Sequence, residues 1–311
     1  MVMNLNQLRV FYFVAKEESF SLAAKKLFLT QPAVTIQIHN LEDSYSIKLI
    51  ELINRKVQLT DAGKMLFSCA EKIFNMVREA ESVISDYTKM NHGSLNIETS
   101  RTIAKYFMPQ ICDLFNRQYP NIHVNLKAGN SQVAIESIIN FNSDVGVVGR
   151  TSSYPECISH IPLMEDKLVI IAPFKTKYFK TEKLKISDLD QVPFIMREEG
   201  SAIKWLVNRE FERENIKPNI IMELGNCDMI KEMVSKGLGI SITTWEMVKA
   251  EIDVKKIRTY NFDNEFIINF DLIFHNARAN APLIKAFKDI SLNYFNELNK
   301  DKMERGGSCQ N

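Results

Sequence analysis

The chain has 311 residues, of which 45% are hydrophobic and 25% charged, and its 39 basic and 38 acidic side chains leave a formal net charge of +1. This length allows two domains or three small ones, and the composition is ordinary for a soluble globular protein. The balanced charge argues against a protein that coats nucleic acid without sequence preference, because such proteins are visibly basic. A protein that reads one specific site is compatible with this charge.

The N-terminal sequence, the apolar runs and the cysteines all report on where the protein resides. The start, "MVMNLNQLRV", is polar and periodic, unlike a secretory signal, and no apolar run reaches the ~20 residues of a membrane span. The five cysteines are scattered and odd in number, so we expect neither disulfides nor a zinc site, and no cofactor. We therefore predict a cytoplasmic protein without a membrane partner.

A helix over residues 5–18 is predicted first, then two short helices joined by a tight turn, and then a hairpin. Thr30 can cap the second short helix, and Pro32 is tolerated in its first turn, where backbone N–H groups have no intrahelical partner. The apolar stripe of this helix consists of Val34, Ile38 and Leu41. Its opposite face is polar and uncharged, which is typical of a helix-turn-helix. The alternating segment "KLIELINRKVQLT", with a basic tip, predicts a two-stranded wing.

A heptad pattern follows the wing. Apolar or small side chains recur at steps of three and four at Leu66, Cys69, Ile73, Met76, Ala80, Val83 and Tyr87. A 3.5-residue period held over three heptads predicts a coiled coil, so we expect this helix to dimerise. The alternative is that the helix packs on its own domain.

From residue 93 onwards the predicted strands and helices alternate, beginning with the strand "SLNIE" and one helix through "IAKYFMPQICDLFNRQY", which indicates an α/β domain. The pattern fits two lobes, with lobe I at about 93–163 and 267–301 and lobe II at about 164–266. The last strand and helix are expected to return to lobe I. The polar tail after Lys302 is predicted to be disordered.

The segment "FYFVAKEESFSLAAKKLFLTQPAVTIQIHNLE", followed by "KLIELINRKVQLTDAG", resembles the LysR-type transcriptional regulators, and the domain order resembles theirs over nearly the whole chain. The resemblance implies an α+β multi-domain fold. Its parts are a winged helix-turn-helix DNA-binding domain at 1–60, a linker and dimerisation helix at 61–92, and a two-lobed α/β effector domain of periplasmic-binding-protein type II at 93–301. It implies a homodimer or homotetramer on double-stranded promoter DNA, with RNA polymerase as a further partner. Activation is the expected direction, with repression left open.

Family base and phosphate contacts carry over by position to the second short helix and the wing. These residues are Gln31, Pro32, Thr35, Ile36, Asn40, Arg55 and Lys56. Gln31 is expected to pair with an adenine edge in the major groove, and Arg55 to lie in or along the minor groove. Ile36 departs from the family, which often has arginine or lysine there, so a thymine methyl contact is expected instead. The alternative for this face is an ordinary solvated helix.

Effectors of two-lobed α/β domains bind between the lobes, where strand ends and helix starts meet. The candidate residues at such ends are Thr99, Ser100, Thr102, Asn130, Ser131, Gly149, Arg150, Arg197 and Ser201. Hydroxyls, helix starts and arginines suit a small oxyanion or carboxylate. The alternative is that the hydroxyls only cap helices and the arginines lie on the surface. The segments "ETSRTIAKYFMP" and "REEGSA" are most similar to the branch of the family that governs sulfur and carbon assimilation, whose members sense small oxyanions or phosphorylated metabolites.

Two other functions are compatible with a two-lobed domain. A solute-binding transport component would use the same two lobes, but the missing signal peptide and the N-terminal third argue against it. An enzyme on a two-lobed frame would need a catalytic set, and no Ser/His/Asp or Cys/His arrangement stands out. We therefore expect a regulator that binds a near-palindromic site and is not an enzyme.

Overall fold

The computed structural model describes residues 3–53, 56–88, 93–176 and 178–306. The chain divides into two compact units, Met1–Ile84 and Ser85–Asn311. Within the described residues no helix is long and apolar enough to cross a membrane.

The N-terminal unit is a helical bundle with a hairpin. Its helices are α1 (Leu5–Glu17), α2 (Phe20–Leu27), α3 (Gln31–Tyr45) and the start of α4 (Asp61–Thr88), and its strands are β1 (Ile50–Ile53) and β2 (Lys56–Leu59). Asn4, Ser19 and Thr30 each cap a helix by accepting a backbone N–H, which satisfies donors that have no intrahelical partner. The predicted helix-turn-helix and antiparallel wing are therefore confirmed.

The stripe predicted on α3 is buried, with Val34, Ile38 and Leu41 at most 2% exposed. These side chains join the core formed by α1 and α2, which includes Leu8, Phe11 and Ala23. Burial of this stripe orients α3, so that its uncharged face is turned to solvent.

Helix α4 uses one face for the core of its own unit. Phe67 and Phe74 pack on the ring of Tyr12, with centroids 5.7 and 5.3 Å apart, and Ala70 is fully buried between them. Of the predicted seam, Leu66 and Ile73 pack partly against this core, whereas Cys69, Met76 and Ala80 are exposed. The side chains of Val83 and Tyr87 lie outside the described residues. Part of the predicted heptad seam therefore packs against the helix's own unit, as the alternative expected. Dimerisation through the remaining part stays a prediction.

The C-terminal unit has the two-lobed α/β fold. Its strands are β3 (Gly93–Ser100), β4 (Ile122–Gly129), β5 (Val145–Gly149), β6 (Ile158–Pro173), β7 (Lys183–Leu184), β8 (Pro193–Arg197), β9 (Asn219–Leu224), β10 (Ser241–Thr244), β11 (Ile257–Phe262) and β12 (Ile267–His275). Its helices are α5 (Arg101–Tyr106), α6 (Met108–Gln118), α7 (Ser131–Ile139), α8 (Ala202–Arg213), α9 (Cys227–Ser235), α10 (Lys249–Asp253) and α11 (Pro282–Gly306). The main sheet has the order β4-β3-β5-β12-β6-β11-β7, with β10 also paired to β6, and β8 and β9 form a second, parallel sheet.

Strand β6 joins the two lobes. Its first ten residues pair with β12 in lobe I, and its end pairs with β10 and β11 in lobe II. The chain then returns through β12, which pairs with β5 and with the start of β6, and α11 follows it. The two lobes are therefore linked by continuous backbone at the sheet, which leaves a cleft between their helix starts.

Two predictions about elements in this unit were wrong. The single helix expected through "IAKYFMPQICDLFNRQY" is broken at Phe107 into α5 and α6, because Pro109 lacks an N–H and suits only a first turn. The tail expected to be disordered after Lys302 is helical as far as Gly306, where α11 ends, and its residues 307–311 lie outside the described residues. Strands β7 and β11 were not predicted.

Candidate functional site

The exposed face of α3 is the candidate DNA-binding surface. Gln31, Pro32, Ile36 and Asn40 are exposed, and Thr35 is half-buried. Thr30 caps the helix, which fixes the backbone of its first turn. The predicted readers on α3 therefore share one solvent-facing side of the helix.

Of the two predicted DNA contacts in the wing, the structure describes only the backbone of one. Arg55 lies outside the described residues, and Lys56 begins β2 with its side chain outside the description. The predicted minor-groove contact of Arg55 therefore stays a prediction.

A buried carboxylate ties the wing to α3. Glu42 is 3% exposed and accepts the backbone N–H groups of Leu49 and Ile50 at 2.9 and 3.2 Å. It also accepts Nζ of Lys48 at 2.6 Å. Burial acts to raise the pKa of Glu42, but these bonds outweigh it and leave the pKa below its ordinary value. Sequence reasoning missed this role, although an acidic residue four positions after the buried Ile38 was a signal.

Three helix starts converge between the lobes of the C-terminal unit. Ser100 caps α5, Asn130 caps α7, and Ser201 precedes α8 without a side-chain cap bond. A cavity at this point is lined by Ser100, Thr102, Asn130, Ser131, Gly149, Arg197, Ser201, Ala202, Ile203, Met247, Ile268 and Phe270. Seven of the nine predicted effector residues thus lie together.

The cavity presents hydrogen-bond donors. Arg197 is 4% exposed, and its Nη1 donates to Oγ1 of Thr102 at 3.4 Å, while Nε and Nη2 donate to Glu198 at 3.0 and 3.3 Å. The hydroxyls of Ser131 and Ser201 have no hydrogen-bond partner within the described parts of the chain. Arg197 and these two hydroxyls are therefore available to a ligand.

Two of the predicted residues lie elsewhere. Thr99 is fully buried and donates its hydroxyl to the carbonyl of Val147. Arg150 turns away from the cavity and donates twice to the buried Asp271, at 2.7 and 2.8 Å, where Tyr154 also donates. Arg150 lines a separate groove beside Tyr154 and α8. Its tertiary partner lies 121 residues away, which sequence spacing does not reveal.

The two lobes touch each other around the cavity. Nδ2 of Asn130 donates to the carbonyl of Glu199 at 2.9 Å, and the N–H of Gln132 donates to the carbonyl of Gly200 at 3.1 Å. Arg101 reaches Glu198 at 3.2 Å. The volume of the cavity is only about 20 Å³, which is room for a single water molecule. The lobes are therefore closed.

A second cross-lobe cluster lies beside the cavity and was missed by sequence reasoning. Lys231 of lobe II is 3% exposed and donates to Tyr106 of lobe I at 2.7 Å, while it pairs with Glu251 and Asp228 at 2.6 and 3.1 Å. Lys105 of lobe I also reaches Asp228, at 2.6 Å. Burial acts to lower the pKa of Lys231, but the bonds to Glu251 and Tyr106 outweigh it and raise the pKa above its ordinary value.

Comparison with known proteins assigns both units. The model of the LysR substrate binding domain matches residues 88–296, and that of the bacterial regulatory helix-turn-helix protein, lysR family, matches residues 5–64. The protein belongs to the LysR family. LysR proteins are transcriptional regulators and not enzymes. This LysR-type regulator binds DNA through its helix-turn-helix domain and a small-molecule effector through its substrate binding domain. The predicted family and fold class are confirmed.

The relatives of this LysR-type regulator include named transcriptional regulators. The HTH-type transcriptional activator CmpR of Synechocystis sp. is 36% identical over 239 residues, which cover 76% of this chain and 78% of CmpR. A probable RuBisCO transcriptional regulator of Thalassiosira pseudonana is 30% identical over 301 residues, 94% of this chain and 96% of the relative. The solved CcmR regulatory domain from Synechocystis PCC6803, in complex with 2-PG, has a TM-score of 0.60 and 23% identity, and covers 66% of this chain and 98% of that chain.

Proposed function

We propose that the protein is a cytoplasmic activator that binds near-palindromic promoter DNA as a dimer or tetramer and senses a small anionic metabolite between its lobes. RNA polymerase is the partner through which activation would act. CmpR is named an activator, which favours this direction over repression.

The observation that carries the effector proposal is the donor set of the cavity. Three helix starts, the hydroxyls of Ser131 and Ser201, which have no partner among the described residues, and the guanidinium of Arg197 line one small cavity. Backbone N–H groups at helix starts favour an anion, and hydroxyls add neutral donors. Glu198 already neutralises much of the charge on Arg197, so a single carboxylate or phosphate group suits the cavity better than a molecule of high charge. The CcmR domain holds 2-PG, which agrees with a small ligand.

Effector binding would shift a population of open and closed lobes. The closed cavity has room for little more than water, so a ligand enters when the lobes part, and its donors then favour the closed form. A change in lobe position would alter the spacing of paired DNA-binding domains and the bend of the DNA.

The exposed side of α4 supports self-association. Met65, Met76 and Ile84 are 74%, 64% and 68% exposed, although they are large apolar side chains. Residues at such positions in a long helix are expected to pack against a second copy. Two recognition helices on a two-fold axis would then read two half-sites in successive major grooves.

The test of the effector proposal is thermal unfolding of the full-length protein with sulfate, inorganic phosphate, 2-PG and small carboxylates. A ligand at ~100 times its dissociation constant adds ~2.7 kcal/mol. For a domain of this size that gives a rise in Tm of roughly 5–10 °C. The double variant Ser131→Ala, Ser201→Ala should lose most of this rise, whereas Ser152→Ala, in an exposed loop outside the cavity, should keep it. Equal rises in both variants would refute the proposed cavity.

The DNA proposal has its own test. Footprinting of the full-length protein on a selected duplex should give two protected half-sites related by a dyad. A footprint without dyad symmetry would contradict binding by paired recognition helices.

A further inference from the structure

A hydrogen bond between two helices fixes how the first residue of α3 is presented. Ser21, in the first turn of α2, donates its Oγ–H to Oε1 of Gln31 at 2.8 Å. Ser21 is free for this bond because Ser19 caps α2, accepting the N–H of Leu22 at 3.3 Å. Ser21 and Gln31 are both exposed, so the bond lies at the face proposed to meet DNA.

This bond uses the acceptor of the Gln31 amide. The side chain has one carbonyl oxygen and one NH₂ group with two donor hydrogens. With Oε1 turned to Ser21, the NH₂ group is the part left for a base. A bidentate pair with adenine needs both the oxygen and the nitrogen, because adenine presents N6–H₂ as a donor and N7 as an acceptor.

The next residues on the same face have fixed roles as well. Thr35 donates its hydroxyl hydrogen to the carbonyl of Gln31 at 3.1 Å, so its Oγ1 can only accept from a base. Ile36 is 57% exposed and presents methyl groups. Along α3 the surface therefore offers a donor at Gln31, an acceptor at Thr35 and an apolar contact at Ile36.

We infer that Ser21 is a specificity-determining residue, which holds Gln31 as a donor and makes it select guanine rather than adenine. Guanine offers two acceptors in the major groove, N7 and O6, to the two hydrogens of the Gln31 NH₂ group. Adenine offers N7 but places a second donor, its N6 amino group, where guanine has O6. The inference rests on the proposed DNA-binding function of α3. It replaces the adenine contact that the sequence alone suggested for Gln31.

The experiment selects DNA with the full-length protein from duplexes that carry a randomised region, and sequences the bound fraction. The Gln31→Ala variant then identifies the base pair whose preference depends on this side chain. Binding is compared on four duplexes that differ only at this base pair, and on one with 7-deazaguanine, which lacks the N7 acceptor. The wild type should prefer guanine and should bind the 7-deazaguanine duplex more weakly.

Removal of the Ser21 hydroxyl should shift the base preference from guanine towards adenine. Ser21→Ala frees Oε1, so the affinity for adenine relative to guanine should rise by at least about fivefold. Ser21→Thr keeps a hydroxyl and should retain the guanine preference. Ser44→Ala is the matched control, because its hydroxyl bonds the carbonyl of Asn40 on the same helix, away from Gln31. All three variants should keep the Tm of the wild type, since both serines are exposed.

Three results would overturn the inference. An unchanged profile for Ser21→Ala would mean that the bond does not orient Gln31. Equal weakening on all four duplexes would make Ser21 a phosphate contact. A wild-type preference for adenine or cytosine would mean that the amide presents its oxygen to DNA. If the wild type enriches no sequence at all, the proposed DNA-binding function fails instead.

Discussion

Replacement of Glu42 by alanine is expected to detach the wing from α3 and to destabilise the N-terminal unit. The substitution removes the acceptor of two backbone N–H groups, those of Leu49 and Ile50, which are 4% and 9% exposed. A buried donor left without a partner costs about 1–3 kcal/mol. Lys48 is exposed, so its ion pair with Glu42 is screened by solvent and adds little to this loss. The expected loss is therefore about 2–4 kcal/mol, and about 1 kcal/mol for Glu42→Gln, which keeps an acceptor oxygen.

The two units can be followed separately in one urea titration. The two tryptophans, Trp205 and Trp245, both lie in Ser85–Asn311, so their fluorescence reports the C-terminal unit. Far-UV circular dichroism reports both units, and hydrogen exchange of peptides from residues 31–60 reports the wing directly. Glu42→Ala should lower the urea concentration at which the N-terminal unit unfolds, as seen by circular dichroism, and should raise hydrogen exchange in the wing. The transition seen by tryptophan fluorescence should not change. Glu51→Ala, an exposed change of the same type in β1, is the control.

The pH dependence gives a second check on the same residue. The folded pKa of Glu42 is depressed, so its contribution is present above the ordinary value of 4.5 and is lost as the pH falls through the folded pKa. The stability difference between the wild type and Glu42→Gln should therefore shrink below about pH 4.5. A Glu42→Ala protein as stable as Glu51→Ala, or a difference that grows in acid, would refute the reasoning.

Three further changes have expected outcomes. Gly63→Ala places a Cβ far inside contact distance of the carbonyl oxygen of Leu49, so the backbone must shift, and we expect a lower Tm for the N-terminal unit and weaker DNA binding. Lys231→Met removes the cation paired with Glu251 and leaves Asp228 paired with Lys105 only, so it should cost about 2–4 kcal/mol in the C-terminal unit, measured by tryptophan fluorescence in urea. Because the pKa of Lys231 is raised, its contribution should be complete below the ordinary lysine range and be lost only as the pH rises through the folded pKa. Gly149→Ala sets a Cβ 2.8 Å from that of Ala202 in the cavity wall, so the thermal shift with anions should fall.

Matched variants separate these effects from the general cost of substitution. Gly93→Ala meets its nearest neighbour at an ordinary 3.7 Å and should be nearly neutral. Lys236→Met removes an exposed lysine from the end of α9 and should cost less than about 1 kcal/mol. Losses as large in these controls as in the corresponding test variants would contradict the structural reasons given.

Local pattern determined the elements and the family from the sequence alone. The stripe of Val34, Ile38 and Leu41, the cap at Thr30 and the alternation of strands and helices after residue 93 depend on neighbours a few positions apart. The small polar residues at helix starts also predicted most of the polar side chains that line the cavity, because in two-lobed α/β folds such helix starts meet at the cleft.

Tertiary structure decided what each polar side chain is bonded to. Arg150 was predicted beside a ligand, but the buried Asp271, a distant strand partner, holds it elsewhere. Glu42 belongs to the wing, Ser21 to Gln31, and Lys231 to a contact between lobes. A hydrogen bond depends on positions within about 3.5 Å in space, and residues 7 to 125 positions apart reach that distance only after the chain has folded.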